Sequence, residues 1–260
     1  MGSVRFVPDA KEKLTYIWNM PMSSGKTFGE LFRRKFGIEL KLLTDKIDAC
    51  NNSSSNQPFI SLIFSEIFSS LGLFLSGDPS VINSQRLYEC IRKLPSEEQA
   101  LFNGATACDI GCGQIVPTVF EASINQLTGG VVKCIDPDIL VIIDSINNFE
   151  VYQREVELDD SRDCALVTSM YPCEATLEVL EAAYVNGTGM YLALCNCDHG
   201  AGSSKAWADC VEKIAAWYNE RFCDGKRPLI VYEPTELWPT VPDSPIYFLP
   251  PVPDNIRRFK

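Results

Sequence analysis

Two carboxylates and the glycines beside one of them carry the strongest chemical signal in this chain. Asp109 lies in the run Thr106-Ala107-Cys108-Asp109-Ile110-Gly111-Cys112-Gly113, and Asp136 closes Val132-Lys133-Cys134-Ile135-Asp136, 27 residues later. An apolar strand that ends in an acid and a Gly-x-Gly turn, followed by a second strand ending in an acid, is how a parallel α/β sheet holds a ribose. Glycine removes side chains where backbone must approach a ligand. A carboxylate offers two acceptor oxygens to a vicinal diol. The pattern implies a nucleoside-containing cofactor. The plainer alternatives are that Asp109 caps its own turn and that Asp136, which precedes Pro137, is an ordinary turn acid.

Two cofactor folds compete for this pattern. A dinucleotide site wants Gly-x-Gly-x-x-Gly, with pyrophosphate at the N-terminus of the next helix. The third glycine position is Val116 here. The chain instead resembles class I S-adenosylmethionine-dependent methyltransferases, whose first motif is an acid followed by x-Gly-x-Gly, matched by Asp109-Ile110-Gly111-Cys112-Gly113. The resemblance covers roughly residues 100 to 250 and rests on this motif, on Asp136 after the second strand, and on strand order. It implies S-adenosylmethionine as cofactor. Asp136 would take both ribose hydroxyls, the methionine portion would lie over Gly111, Cys112 and Gly113, and adenine would sit near Leu158, Asp159 and Asp160. A helix beginning near Gln114 is expected to point its N-terminus at the same place.

Methyl transfer is an in-line displacement, so positioning carries much of the work, and a base is needed only for a protonated acceptor. The resemblance places cofactor and substrate contacts after the fourth strand, at Val167-Thr168-Ser169-Met170-Tyr171-Pro172. Ser169 and Tyr171 are the candidates there. The segment departs from the Asp or Asn, Pro-Pro, aromatic pattern of amino-methylating members, and it lacks the aspartate of ribose 2'-O-methylating ones. Lys205 and Glu233 alone do not restore that set. The fifth strand leads into Cys195-Asn196-Cys197-Asp198-His199-Gly200. His199 is the only histidine, and imidazole changes charge near neutral pH, which suits a general base. The competing reading is a hydrogen-bonded surface histidine. Cys195, Cys197 and His199 raise the question of a metal, but alternate strand residues point one way without forming a cage, and no Cys-x-x-Cys pair completes one. No metal is expected.

These residues need a scaffold. Seven short apolar runs near 105–109, 131–136, 151–158, 164–169, 189–196, 228–233 and 245–249 alternate with helical segments. The fold class is α/β, a Rossmann-like, seven-stranded, mostly parallel sheet with helices on both faces. Residues 1–100 read as a helical N-terminal extension, a lid or a substrate- or partner-binding element, and 101–260 as the methyltransferase-like domain. Within the extension, helical faces run through Phe28, Leu31, Phe32 and Phe36, through Ile60 to Leu75, and from Val81 to Leu94, with a short helix from Glu97 to Phe102.

Composition bounds the partners. A net charge of −11 and a pI near 4.7 oppose coating of a polyanion. The acceptor is therefore expected to be a small molecule or a protein. RNA is disfavoured, although residues 1–48 carry nine Lys or Arg against six Asp or Glu and the tail adds Arg257, Arg258 and Lys260. Eleven scattered cysteines in a chain of 260 residues read as buried free thiols of a reducing compartment. The start lacks a secretory core and the run Phe59 to Leu75 contains Glu66, so cytoplasmic residence is expected, with the nucleus as alternative and no membrane span. Three functions remain open: methyl transfer, a catalytically inactive methyltransferase-like binding or scaffolding role, and RNA methylation through the basic termini. Oligomeric state is left open.

Overall fold

The computed structural model describes residues 4–19, 25–27, 29–30, 33–34, 39–52, 79–143, 148–195, 197–232 and 245–252. In chain order, β1 (Val4–Phe6), α1 (Ala10–Trp18), α2 (Leu40–Asn52), α3 (Pro79–Arg92) and α4 (Ser96–Gln99) come first. They are followed by β2 (Ala105–Ile110), β3 (Ile115–Val116), α5 (Val119–Thr128), β4 (Gly129–Ile135), β5 (Val141–Ile143) and β6 (Phe149–Tyr152). Then come β7 (Leu166–Met170), α6 (Thr176–Asn186), β8 (Gly189–Ala193), α7 (Ser204–Cys223), β9 (Ile230–Tyr232) and β10 (Ile246–Leu249).

All seven expected strands join one sheet in the order β6-β4-β2-β7-β8-β10-β9. The first five pair in parallel, and β10 runs antiparallel to both β8 and β9. Strand alternation divides the core in two. Ala107, Val132, Cys134, Leu166, Tyr191 and Phe248 pack with residues of α1, α2, α3 and α5. Cys108, Ile110, Ile135, Val167, Leu192 and Tyr247 pack with α6 and α7. Helices therefore cover both faces, as a parallel sheet requires.

The expected two-part division is softened by an element that the sequence did not announce. β1 pairs with β5, and β5 pairs with β3, in a small three-stranded sheet. Val7, Ala10, Leu14, Leu43, Ile47 and Leu87 share one core with the main sheet. Three other expectations are corrected. The helix expected at Gln114 begins at Val119, because Ile115 and Val116 are taken up by β3. The third strand of the series ends at Tyr152, not 158. The run Asn51-Asn52-Ser53-Ser54-Ser55-Asn56 reads as a polar loop, but Asn51 and Asn52 end α2. Phe28, Leu31, Phe32 and Phe36 of one expected helical face, and the run 60–75 of another, lie outside the described residues.

Cys90, Cys108, Cys112, Cys134, Cys164 and Cys195 are buried thiols outside any disulfide, and Cys197, Cys210 and Cys223 are thiols nearer the surface. Among the described residues no helix is long and apolar enough to cross a membrane.

Candidate functional site

The chain leaves β2 for β4 on one side and later returns to β7 on the other. Ligands of open α/β sheets settle in the crevice at such a reversal, outside the carboxyl ends of the strands. The Gly111-Cys112-Gly113 turn leaves β2 at that point. Gly111 and Gly113 have φ of +69° and +84°, a left-handed backbone costing other residues about 1–2 kcal/mol. A Cβ added at Gly113 would meet no heavy atom within 4 Å, whereas one at Gly111 would touch Pro172 at 3.6 Å. Open space therefore lies in front of Gly113.

Asp136 follows β4 and is bound to this turn. Its Oδ2 accepts the Gly113 N–H at 2.8 Å and its Oδ1 accepts the Asp138 N–H at 2.6 Å. An ionised carboxylate has about four acceptor positions, so two remain for a diol. Burial raises the Asp136 carboxyl, while the amides of Asp138 and Gly113 oppose that rise. The Lys13 ammonium of α1 donates to the Pro137 carbonyl and bears on Asp136. Gln153, just past β6, donates to Asp9 Oδ1 at 2.8 Å. Asp9, α1 and the ends of β4 and β6 thus meet beside Asp136.

Asp109 takes a different part from the one expected. It is 1% exposed and accepts the Thr168 hydroxyl at 2.6 Å across the β2–β7 pair. Burial pushes its carboxyl well above the usual range, and Glu121 adds to the rise. Glu121, also fully buried, is raised by burial and lowered by its hydrogen bonds to Thr118 and Asp109. Glu121 Oε1 has no hydrogen-bond partner. Asp109 thus braces β2 against β7 with Glu121 of α5 beside it.

That bracing also closes the N-terminus of α5. Thr118 caps it, accepting the Phe120 N–H at 3.2 Å, and Glu121 Oε2 accepts the Thr118 N–H at 2.6 Å. The Glu121 carboxylate thus lies at the N-terminus of α5, the end of a helix that favours an anion.

The remaining candidates separate. Cys112 is buried, its thiol raised by burial and by Cys134 beside it. Ser169 is fully buried and donates its hydroxyl to the Ile110 carbonyl, so it is spent on the backbone and not presented to a ligand. Its strand position faces α6, opposite to Asp109. Asp159 is removed from the site. Because the strand before it stops at Tyr152, Asp159 falls in a 3-10 turn at Leu158–Ser161, held by Asn186 at the far end of α6. That is the opposite edge of the sheet. A groove of about 780 Å³ between α3, α4 and α5, lined by Phe102 and Leu127, opens at that same far edge.

On the acceptor side, Tyr171 follows β7 with φ +54° and its N–H donates to the Ala193 carbonyl at 2.8 Å. Its hydroxyl lies 3.5 Å from Asn83 Nδ2 of α3, and Asn83 Oδ1 accepts the Tyr191 hydroxyl at 2.6 Å. Arg86, one turn further along α3 and 1% exposed, bears electrostatically on Tyr191 and Cys90; its Nε and Nη2 have no hydrogen-bond partner. Sequence reasoning missed this polar face because Asn83 and Arg86 are indistinguishable from solvent-facing helix residues until α3 is seen against β8. His199 is exposed, as one reading expected, yet it is also tied down: Nε2 lies 3.1 Å from Cys195 Sγ and the ring packs on Trp207 at 4.8 Å. Lys205 is exposed, and Glu233 lies outside the described residues.

No family model matches the chain, and no curated protein does. Solved structures with similarity include a ribosomal RNA methyltransferase of Plasmodium falciparum (14% identity, 58% of this chain and 87% of that one, TM-score 0.32). They also include a precorrin-6y C5,15-methyltransferase of Geobacter metallireducens (14%, 59% and 83%, TM-score 0.34) and a methyltransferase of Thermobifida fusca (12%, 68% and 82%, TM-score 0.36). Overlaps this loose leave the reading to the strand order and the crevice themselves. The seven-stranded, mostly parallel sheet with helices on both faces is the Rossmann-like fold that the resemblance in the sequence implies.

Proposed function

We propose that this chain binds S-adenosylmethionine at the Gly111–Gly113 turn and transfers its methyl group to a small molecule or a protein. The observation that carries the reading is the bond from Gly113 N–H to Asp136 Oδ2, 2.8 Å long, beside the reversal in strand order. It fixes a carboxylate beside an open glycine cradle, which suits a ribose. The closed N-terminus of α5 favours a cofactor without phosphates.

When bound, the cofactor supplies an electrophilic methyl group. Everything else falls to the chain's residues. Asp136 accepts from the sugar hydroxyls, and the open, side-chain-free face of Gly113 admits the methionine portion. Tyr171, held by its bond to Ala193 and by Asn83, borders the acceptor's approach and excludes water from it. The acidic surface, net −11, favours acceptors that are not polyanions.

One observation favours the rival of a binding module without turnover: Ser169, the serine nearest the acceptor position, is committed to Ile110. Calorimetry with S-adenosylmethionine is the first test. Micromolar binding by the wild type and its loss in Asp136→Ala support the cofactor site, and no heat at millimolar donor overturns it. Methyl transfer from a labelled donor into small-molecule and protein fractions then separates the enzyme from the binding module. RNA methylation predicts affinity that falls steeply with salt; a flat response removes it.

A further inference from the structure

The turn after β8 gathers three soft ligands that the alternation of a strand would keep apart from any common point. Cys195 Sγ, Cys197 Sγ and His199 Nε2 all lie within 4.8 Å of one another, and the Cys195–His199 pair is 3.1 Å apart. The chain turns back there: His199 has φ +44°, Gly200 +78° and Gly202 +91°. The imidazole reaches the two sulfurs because the chain beyond Ala193 no longer holds strand geometry, and the left-handed residues then turn it on towards α7.

We propose that Cys195, Cys197 and His199 bind a Zn²⁺ ion through two thiolates and imidazole Nε2. Zinc bonds of about 2.3 Å to sulfur and 2.0–2.1 Å to nitrogen set ligand atoms roughly 3.5–3.8 Å apart in a tetrahedron. The cluster is within about 1 Å of that spacing before any metal enters. Charge closes as well, since two thiolates balance the dication and a neutral imidazole adds none. Loading therefore releases two thiol protons to solvent, and affinity rises with pH in the range where thiols ionise. Trp207, in the first turn of α7, packs on the imidazole and limits its rotation. Three protein ligands leave one tetrahedral position for water or a substrate group, the arrangement of reactive rather than purely structural zinc.

The location gives the ion a use. β8 lies two strands from β2, a lateral distance of about 10 Å at ordinary strand spacing, and the cluster sits on the same carboxyl edge as the glycine turn. A thiol or other soft donor group held at the open position would sit beside the crevice. The inference stands apart from the methyl-donor reading, because metal binding is measured without the cofactor.

The test uses the full chain, reduced and stripped of metal, titrated with Zn²⁺ against a chromophoric chelator and then with Co²⁺ as a spectroscopic substitute. One equivalent is expected to bind, and Co²⁺ should show thiolate charge-transfer bands with the intense visible bands of tetrahedral coordination. Cys197→Ser and His199→Gln, both at exposed positions, should weaken Zn²⁺ by at least about tenfold, the scale on which even outer-shell partners matter. Cys210→Ser, at an exposed cysteine of α7 outside the cluster, should leave affinity unchanged. If Cys195→Ser fails to fold, the two exposed variants still decide the matter. Absence of a tetrahedral cobalt spectrum, or affinity indifferent to Cys197 and His199, overturns the proposal and leaves a plain thiol–imidazole hydrogen bond.

Discussion

Gly113→Ala tests the cofactor cradle with a built-in control. The residue has φ +84°, and its missing side chain faces open space. Alanine therefore clashes with nothing in the protein and pays only for the left-handed backbone, about 1–2 kcal/mol, or a melting shift of roughly 2–4 °C per kcal/mol. Gly104 has φ +71°, equally open surroundings, and a position before β2 at the opposite edge of the sheet. Gly104→Ala should thus lose the same stability. The two variants part company on S-adenosylmethionine. At Gly113 the methyl occupies the volume reserved for the ligand, and overpacking of about 1–3 kcal/mol translates to roughly 5- to 150-fold weaker binding. Gly104→Ala should bind as the wild type does. Calorimetry paired with denaturant unfolding reads both quantities. Equal donor affinity in the two variants, with equal stability loss, would refute the cradle.

Asp109→Asn probes the buried acid. Burial holds the folded carboxyl above its unfolded value, so the stability it gives is complete below about pH 4 and is lost as pH rises through the folded pKa. Asparagine cannot ionise, so the variant should lose less stability than the wild type between pH 4 and pH 8; parallel curves of unfolding midpoint against pH would contradict this. Arg86→Met removes buried donors that have no partner and should raise stability by about 1–3 kcal/mol; a comparable loss in urea unfolding would show that the guanidinium is satisfied. Asn83→Ala deprives the buried Tyr191 hydroxyl of its 2.6 Å acceptor, costing about 1–3 kcal/mol, and frees Tyr171. Asn83→Asp, which keeps an acceptor for Tyr191, should recover part of that stability; equal loss in both variants would count against the bond.

The main sheet was legible because its strands are short runs rich in apolar residues, several of them ended by a punctuating residue: β2 by Gly111, β4 by Asp136 and β10 by Pro250. β1, β3 and β5 were not, since two or three residues carry no period and form only through partners far along the chain. The places of Asp136 and the two glycines, at a strand end and in a turn, could be read from spacing alone, because strand end and turn are local events. Asp109 and Ser169 could not. Which face each side chain takes follows from strand alternation, and its consequence depends on what covers that face: Glu121 from α5 over Asp109, and the Ile110 carbonyl beside Ser169. The Asp159 error came from one boundary, a strand read six residues too long. The meeting of Cys195, Cys197 and His199 depends on the path of the loop after β8, which no periodicity in the sequence announces.

The small sheet sets an order of events during synthesis. Val4 finds its partner in Ile143, so the amino end emerges from the ribosome long before the segment that will receive it exists. Until then Lys13 has no Pro137 carbonyl to bind, and the nascent helix α1 waits without a seat. A bulky tag fused ahead of β1 would therefore bear first on this pairing, and through α1 and Lys13 on the surroundings of Asp136.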